Sequence, residues 1–183
     1  YIHHDTLYIA TFDGLWSYDL LSQQLLKVNF PNNNQLLLKL SYQNEKLYLA
    51  SDGNGVYTYD LSSKKLIGHI YGQHLSSNEV IDVLPLDEDV VWLATARGVD
   101  IVNTKHNTVI QVKGINKSKV ISLLKYENKI FITTFGDGFY VCNLQGELLA
   151  HSGKTLTLGF MTLINNEIWV SGNPGIYRIN PDT

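Results

Sequence analysis

The sequence predicts an all-β fold built from four-stranded antiparallel units in tandem, and three observations predict it. One phrase recurs five times: Leu7-Tyr-Ile-Ala-Thr11, Leu47-Tyr-Leu-Ala-Ser51, Val91-Trp-Leu-Ala-Thr95, Ile130-Phe-Ile-Thr-Thr134 and Ile168-Trp-Val-Ser-Gly172. A second phrase follows each copy: Gly14-Leu-Trp-Ser-Tyr-Asp19, Gly55-Val-Tyr-Thr-Tyr-Asp60, Gly98-Val-Asp-Ile-Val-Asn103, Gly138-Phe-Tyr-Val-Cys-Asn143 and Gly175-Ile-Tyr-Arg-Ile-Asn180. The leading glycines stand 41, 43, 40 and 37 residues apart, a nearly constant period. Helix signals are nearly missing, since no stretch holds an i, i+3, i+4, i+7 apolar face with caps.

Each phrase reads as a strand: short, rich in β-branched and aromatic residues, bounded by Gly, Asn and Asp. Pairs such as Leu15/Trp16 and Val56/Tyr57 put apolar residues on both faces, the pattern of a strand covered on both sides. Four strands, a to d, fill one period. In the first unit (1–30), b is Leu7–Thr11, c is Gly14–Asp19 and d is Gln24–Val28, with Tyr1–His4 as the tail of a truncated a strand. The second (31–72) is complete: a Leu36–Tyr42, b Lys46–Ser51, c Gly55–Leu61 and d Lys65–Tyr71. Its turns, Gln43-Asn44-Glu45, Asp52-Gly53-Asn54 and Ser62-Ser63-Lys64, are short and carry turn chemistry. The third unit (73–114) opens with Val80–Leu86 and closes with Thr108–Val112. The fourth (115–152) opens with Val120–Tyr126 and closes with Glu147–Ala150. The fifth (153–183) opens with Leu156–Ile164 and reaches Asn180-Pro181 where a d strand would begin.

Repeated antiparallel meanders of about 40 residues are the unit of a β-propeller. One blade cannot bury two apolar faces, whereas blades stacked around an axis cover one another. The second position of every b strand is aromatic (Tyr8, Tyr48, Trp92, Phe131, Trp169), which suits a repeated layer between blades. The fourth is small (Ala10, Ala50, Ala94, Thr133, Ser171), which allows close approach where the ring narrows. The Asp or Asn ending each c strand (Asp19, Asp60, Asn103, Asn143, Asn180) can bond its own backbone and start the c–d turn. The expected strand count is 18, with three strands at each end of the chain. Two three-stranded ends cannot merge into one four-stranded blade. The fold class is therefore an incomplete arc of a larger propeller of six to eight blades, and its open faces call for missing blades or self-association.

Composition narrows the function. The chain has 183 residues, 44% hydrophobic and 17% charged, enough to bury a core. A net charge of -3 argues against nucleic acid as a partner of this segment. No apolar run approaches the ~20 residues of a membrane span, and no signal-peptide pattern opens the chain. The lone cysteine excludes an internal disulfide framework and any CxxC metal site.

No catalytic motif stands out. His3, His4, His69, His74, His106 and His151 form no ligand spacing, Gly-x-Ser-x-Gly does not occur, and Cys142 takes a mainly apolar position of the repeat. The sequence thus predicts no cofactor, no metal and no enzyme activity in this segment. Asp52-Gly-Asn-Gly55 and Phe135-Gly-Asp-Gly138 are short of the 6–8 oxygen ligands of a calcium site and read as turns needing positive φ. Propeller b–c and d–a connections open on one face, around the channel, and such loops read ligands. The candidate ligand-binding residues are accordingly Phe12, Asp13, Asp52, Asn54, Arg97, Phe135 and Asp137 from the b–c loops, with His74 from the long d–a loop Gly72–Glu79. Aromatic, acidic and single-Arg groups around one opening suit a small polar ligand such as a carbohydrate, or a protein partner. Arg97 is the one cation of those b–c loops and the natural anion or hydroxyl partner.

The repeat, apolar-Trp/Tyr-apolar-Ala-Thr followed by Gly-apolar-x-x-apolar-Asp, resembles the two-component regulator propeller repeat, most closely at Val91–Val102 and Leu7–Asp19. The Gly-His and Trp-Asp signals of WD40 repeats and the double glycines of kelch repeats do not recur. Asp100, in place of an aromatic, and Asn173-Pro174 depart from the pattern. The resemblance implies a ligand-sensing propeller in the periplasm, part of an inner-membrane protein whose output module is a two-component sensor kinase or a diguanylate cyclase. A non-catalytic protein-interaction scaffold is the alternative, and a propeller-type lyase a weaker one.

Overall fold

The computed structural model describes residues 1–30, 35–115 and 117–181. The expected opening of the second unit at residue 31 and the close of the fifth at 183 lie outside these residues. No helix forms among the described residues, so none is long and apolar enough to cross a membrane.

Among the described residues nineteen strands form five sheets. Sheet one holds β1 (Ile2–His3), β2 (Thr6–Thr11), β3 (Gly14–Asp19) and β4 (Leu25–Lys27). Sheet two holds β5 (Leu37–Gln43), β6 (Lys46–Ser51), β7 (Val56–Asp60) and β8 (Lys65–Ile70). Sheet three holds β9 (Val80–Pro85), β10 (Val90–Thr95), β11 (Gly98–Asn103) and β12 (Thr108–Gln111). Sheet four holds β13 (Val120–Tyr126), β14 (Lys129–Thr134), β15 (Phe139–Asn143) and β16 (Leu148–Ser152). Sheet five has three strands, β17 (Thr157–Ile164), β18 (Glu167–Asn173) and β19 (Gly175–Ile179). Within each sheet every strand pairs antiparallel with its neighbour in sequence.

Beyond shifts of one or two residues at strand ends, as where β16 runs Leu148–Ser152 against the expected Glu147–Ala150, two details differ from the sequence expectation. The described residues hold 19 strands rather than 18, because the remnant before β2 does pair: Ile2 lies opposite Leu7 and His3 opposite Thr6. His4, at φ 50°, supplies the left-handed residue that reverses the chain there. The first turn of sheet two is two residues long, not three, because Gln43 pairs with Lys46. Asn44 and Glu45 both take positive φ (47° and 59°), the two-residue hairpin whose twist matches that of the strands.

The aromatic at the second b position is the key to packing. Tyr8 meets Leu37, Leu47 and Leu49 of sheet two. Tyr48 meets Val80, Val91 and Leu93 of sheet three. Trp92 meets Val120, Ile130 and Ile132 of sheet four. Phe131 meets Leu158, Ile168 and Val170 of sheet five. Alternation sends each b-strand aromatic forward and its flanking aliphatics back, so four interfaces share one register. Cys142 lies fully buried in the third of them, and burial pushes its thiol up to about 11, consistent with a packing role.

The outer face of sheet one and that of sheet five are uncovered. Ile2, Ile9 and Leu25 are exposed on the first, Ile164 and Ile176 on the last. The inner strands β5, β9, β13 and β17 lie against one another in that order and line the concave side. Each is bulged near its start, at Leu37/Lys39, beside Asp82/Val80, at Val120/Ser122 and at Leu158/Met161. A bulge bends the strand and re-aims the side chains that follow.

Candidate functional site

The loops following b strands and those preceding a strands meet at one end of the sheets. Asp52 N–H donates to Leu36 O (3.0 Å), Ala96 N–H to Glu79 O (3.0 Å) and Phe135 N–H to Lys119 O (2.9 Å). Gly55 N–H donates to Asn78 O (2.8 Å) and Gly138 N–H to Leu156 O (2.9 Å), so each of these loops also touches the next sheet's entry.

The hydroxyl bonds in sheets one to four explain why the phrase there ends in Thr or Ser shortly before a glycine. Thr11, Thr95 and Thr134 Oγ1 and Ser51 Oγ donate to the carbonyls of Gly14, Gly98, Gly138 and Gly55, at 2.8–2.9 Å. The same oxygens of Thr11, Thr95 and Thr134 accept from Asp13, Arg97 and Asp137 N–H. The glycine is required at Gly138, whose φ is 70° and where a Cβ would stand 2.2 Å from Ser152 O. At the opposite end, Asp19, Asp60, Asn103 and Asn143 side chains accept backbone N–H groups of the c–d turns, as their residue types predict.

The structure disperses the eight sequence-predicted site residues along this loop face. Phe12 and Phe135 present their rings to solvent, at 76% and 64% exposure. Asp13 pairs with Lys27 Nζ (2.6 Å) within sheet one. Asp52 is exposed. Asn54 offers its carbonyl to His69 Nε2 (2.8 Å), and His69 stacks between Tyr57 and Tyr71. His74 borders a groove of about 510 Å³ between sheets two and three, together with Tyr48, Ile70 and Val102. Arg97 is exposed, and no carboxylate among the described residues lies within ion-pair distance of it.

Asp137 is the most engaged of the eight. It accepts hydrogen bonds from Tyr140 OH and Ser118 Oγ, and His151 Nε2 lies 3.4 Å from its second oxygen. The His151 ring stacks on Tyr140 at 3.8 Å. The Tyr140 hydroxyl, then Ser118 and the nearby His151 and Lys154, hold the carboxyl below its ordinary range despite some desolvation. Asp13, Asn54 and Asp137 occupy the same place in three sheets, and each ties its b–c loop to the d strand of its own sheet.

Sequence reasoning missed the polar groups of the inner strands. Asp82 is 3% exposed. One carboxylate oxygen accepts from Val83 N–H (2.9 Å), the other from Ser122 Oγ (3.1 Å) and Leu123 N–H (3.0 Å). Ser122 Oγ in turn accepts from Met161 N–H (3.3 Å). Burial pushes the Asp82 carboxyl up, opposed by Lys39 and by its donors. Lys39 Nζ stands 4.0 Å from Asp82 Oδ1 and 5.3 Å from the Phe160 ring of sheet five. The signal was available: these residues lie opposite the small fourth position of the b strands, Lys39 facing Ala50, Asp82 facing Ala94 and Ser122 facing Thr133. Asp100, the departure from the repeat, is buried and holds the loop before sheet three through Ser76 N–H (2.7 Å) and Ser76 Oγ (2.6 Å). Among the described residues no three His, Cys, Asp or Glu side chains cluster closely enough to hold a metal ion.

No protein-family model matches the sequence, and no curated protein matches it. Solved structures match it along nearly its whole length. The extracellular domain assigned to the hybrid two component system BT4673 of B. thetaiotaomicron superposes with a TM-score of 0.79 at 20% identity, over 98% of this chain and 27% of that one. The extracellular domain assigned to the hybrid two component system BT3049 of the same organism gives 0.74 at 17% identity, over 96% of this chain and 25% of that one. The β-propeller domain of Cps50 (Swd1) from Myceliophteria thermophila gives 0.71 at 14% identity, over 92% and 59%. The chain thus spans about a quarter of the two bacterial extracellular domains it resembles. At these identities the likeness speaks for the fold, and with the five meandering sheets it makes this chain a run of consecutive β-propeller blades.

Proposed function

We propose that the chain is part of the extracytoplasmic sensor region of a bacterial signal-transduction protein. The observation that carries this reading is the shared fold, over nearly the whole chain, with two separate extracellular domains assigned to sensor systems. In this reading the protein is anchored in the inner membrane, the propeller lies in the periplasm, and a kinase or diguanylate cyclase module elsewhere gives the output. The segment itself binds rather than catalyses. Further blades cover the two open faces, continuing the register of the four internal interfaces. The ligand is small and polar and meets the loop end, where the exposed Phe12, Arg97 and Phe135 are free of the intrasheet ties that hold Asp13 and Asp137.

Protease treatment of intact cells and spheroplasts carrying the full-length protein tests the placement. Digestion of this segment in spheroplasts, with the output module protected, is the expected result. Protection of the segment until the inner membrane is lysed overturns the reading.

A further inference from the structure

We propose that the concave side of the arc holds an anion site built on Lys39, which takes a small carboxylate with a flat or apolar body. The proposal rests on the sensor reading for its biological sense and names the ligand class of that region; its chemistry stands on the inner strands alone.

Three features carry it. First, Lys39 reaches across the arc. It rises from β5 of sheet two, yet its ammonium lies 5.3 Å from the ring of Phe160 on β17 of sheet five, two sheets further than the neighbour-to-neighbour packing of the core. It therefore stands over the opening that the inner strands surround. Secondly, its hydrogen-bonding capacity is not used, although Asp82 engages part of its charge. Asp82 Oδ1 lies 4.0 Å away, at the edge of an ion pair, and no acceptor among the described residues lies within hydrogen-bonding distance of Lys39 Nζ. Lys39 helps to hold the Asp82 charge, but it shares that work with Val83, Ser122 and Leu123, which all donate to the carboxylate. The Lys39 side chain is 38% exposed, so its N–H groups are open to a ligand. Thirdly, Phe160 is 49% exposed and offers an apolar surface beside the cation. A carboxylate on Lys39 with its body against Phe160 would satisfy both, through a charge-assisted hydrogen bond and ring contact.

The site differs in position from the b–c loops, where Arg97 is the exposed cation, so the two can be told apart. Isotope-labelled protein is titrated with glucuronate and with benzoate, and separately with their neutral counterparts glucose and benzyl alcohol, while backbone shifts are followed. Saturable shifts at Lys39, Phe160 and their neighbours are expected with at least one acid and not with its neutral counterpart. Lys39→Met keeps the apolar stem and should weaken the acid by about ten-fold or more, whereas Lys39→Arg should retain it. Arg97→Ala should leave it unchanged. Absence of saturable shifts with both acids, equal binding of acid and neutral compound, or unchanged binding in Lys39→Met overturns the proposal. The protease test of placement is independent of all three results, so failure of either idea is visible without the other.

Discussion

Sheets two to four and the two terminal sheets carry the same repeated phrases and end up in different environments. Trp92, at the second position of its b strand in sheet three, is fully buried against sheet four. Trp169, at the same position in sheet five, faces the uncovered side and is only half-buried. Leu93, at the next position of the same b strand, is fully buried against sheet two, whereas Ile9, its counterpart in sheet one, is 37% exposed. The repeat therefore encodes an interface, and a sheet completes it only when a neighbour supplies the opposite half.

The largest expected effect tests that contrast directly. Trp92→Ala leaves a cavity between two sheets and should cost about 3–5 kcal/mol in urea denaturation. Trp169→Ala should cost less than about 2 kcal/mol in the same 183-residue chain. Equal costs would mean that the outer face of sheet five is as well packed as an internal one.

A smaller contrast concerns the hydroxyl that closes the b–c loops of sheets one to four. Thr95 is fully buried, and its Oγ1 both donates to Gly98 O and accepts from Arg97 N–H. Thr95→Val strands both partners and should cost about 1–3 kcal/mol by thermal or urea unfolding. Thr11 makes the same two bonds in sheet one but is only partly buried, so water can replace them, and Thr11→Val should cost under about 1 kcal/mol. A larger cost at Thr11 would contradict the idea that the terminal sheet is the looser one.

The smallest effect is a change in pH dependence. The folded state holds the Asp137 carboxyl below its ordinary value, first through Tyr140. Around an unfolded carboxylate value of about 4 the folded protein therefore binds fewer protons at this site than the unfolded chain. The stabilisation is complete above that pH and is lost as pH falls through the lowered folded value. Asp137→Asn should flatten the acid limb of a stability-pH curve and leave the slope near neutrality unchanged. An unaltered acid limb would remove Asp137 from the account.

The strands were legible because their signal is local and five-fold. Lys46–Ser51, Gly14–Asp19, Gly98–Asn103 and Val120–Tyr126 form with the bounds their phrases predict. The layer of second-position aromatics was legible for the same reason. Less of the site could be read, because its residues are defined by departures from the repeat and by non-local partners. Lys39, Asp82 and Ser122 share one register position yet differ in chemistry, so no recurring letter marks them. Their relation appears only when bulges turn β5, β9 and β13 toward a common space. Asp137 was legible as a loop acid, but its ties to Tyr140, Ser118 and His151 depend on three separate elements meeting.

Because strands within each sheet pair with their neighbours in sequence, and each sheet packs on the next, no pairing must wait for distant parts of the chain. Hairpin loops of a few residues close at little entropic cost, and the added cost of docking the following sheet grows only slowly with separation. Folding of such a chain can start in any of the middle sheets and spread outward, with a rate set by one sheet and its neighbour rather than by total length. In the 183-residue chain taken by itself, sheets one and five have one partner each and would be the last to form and the first to open, so amide exchange there should be fastest, and slowest along β10 and β14.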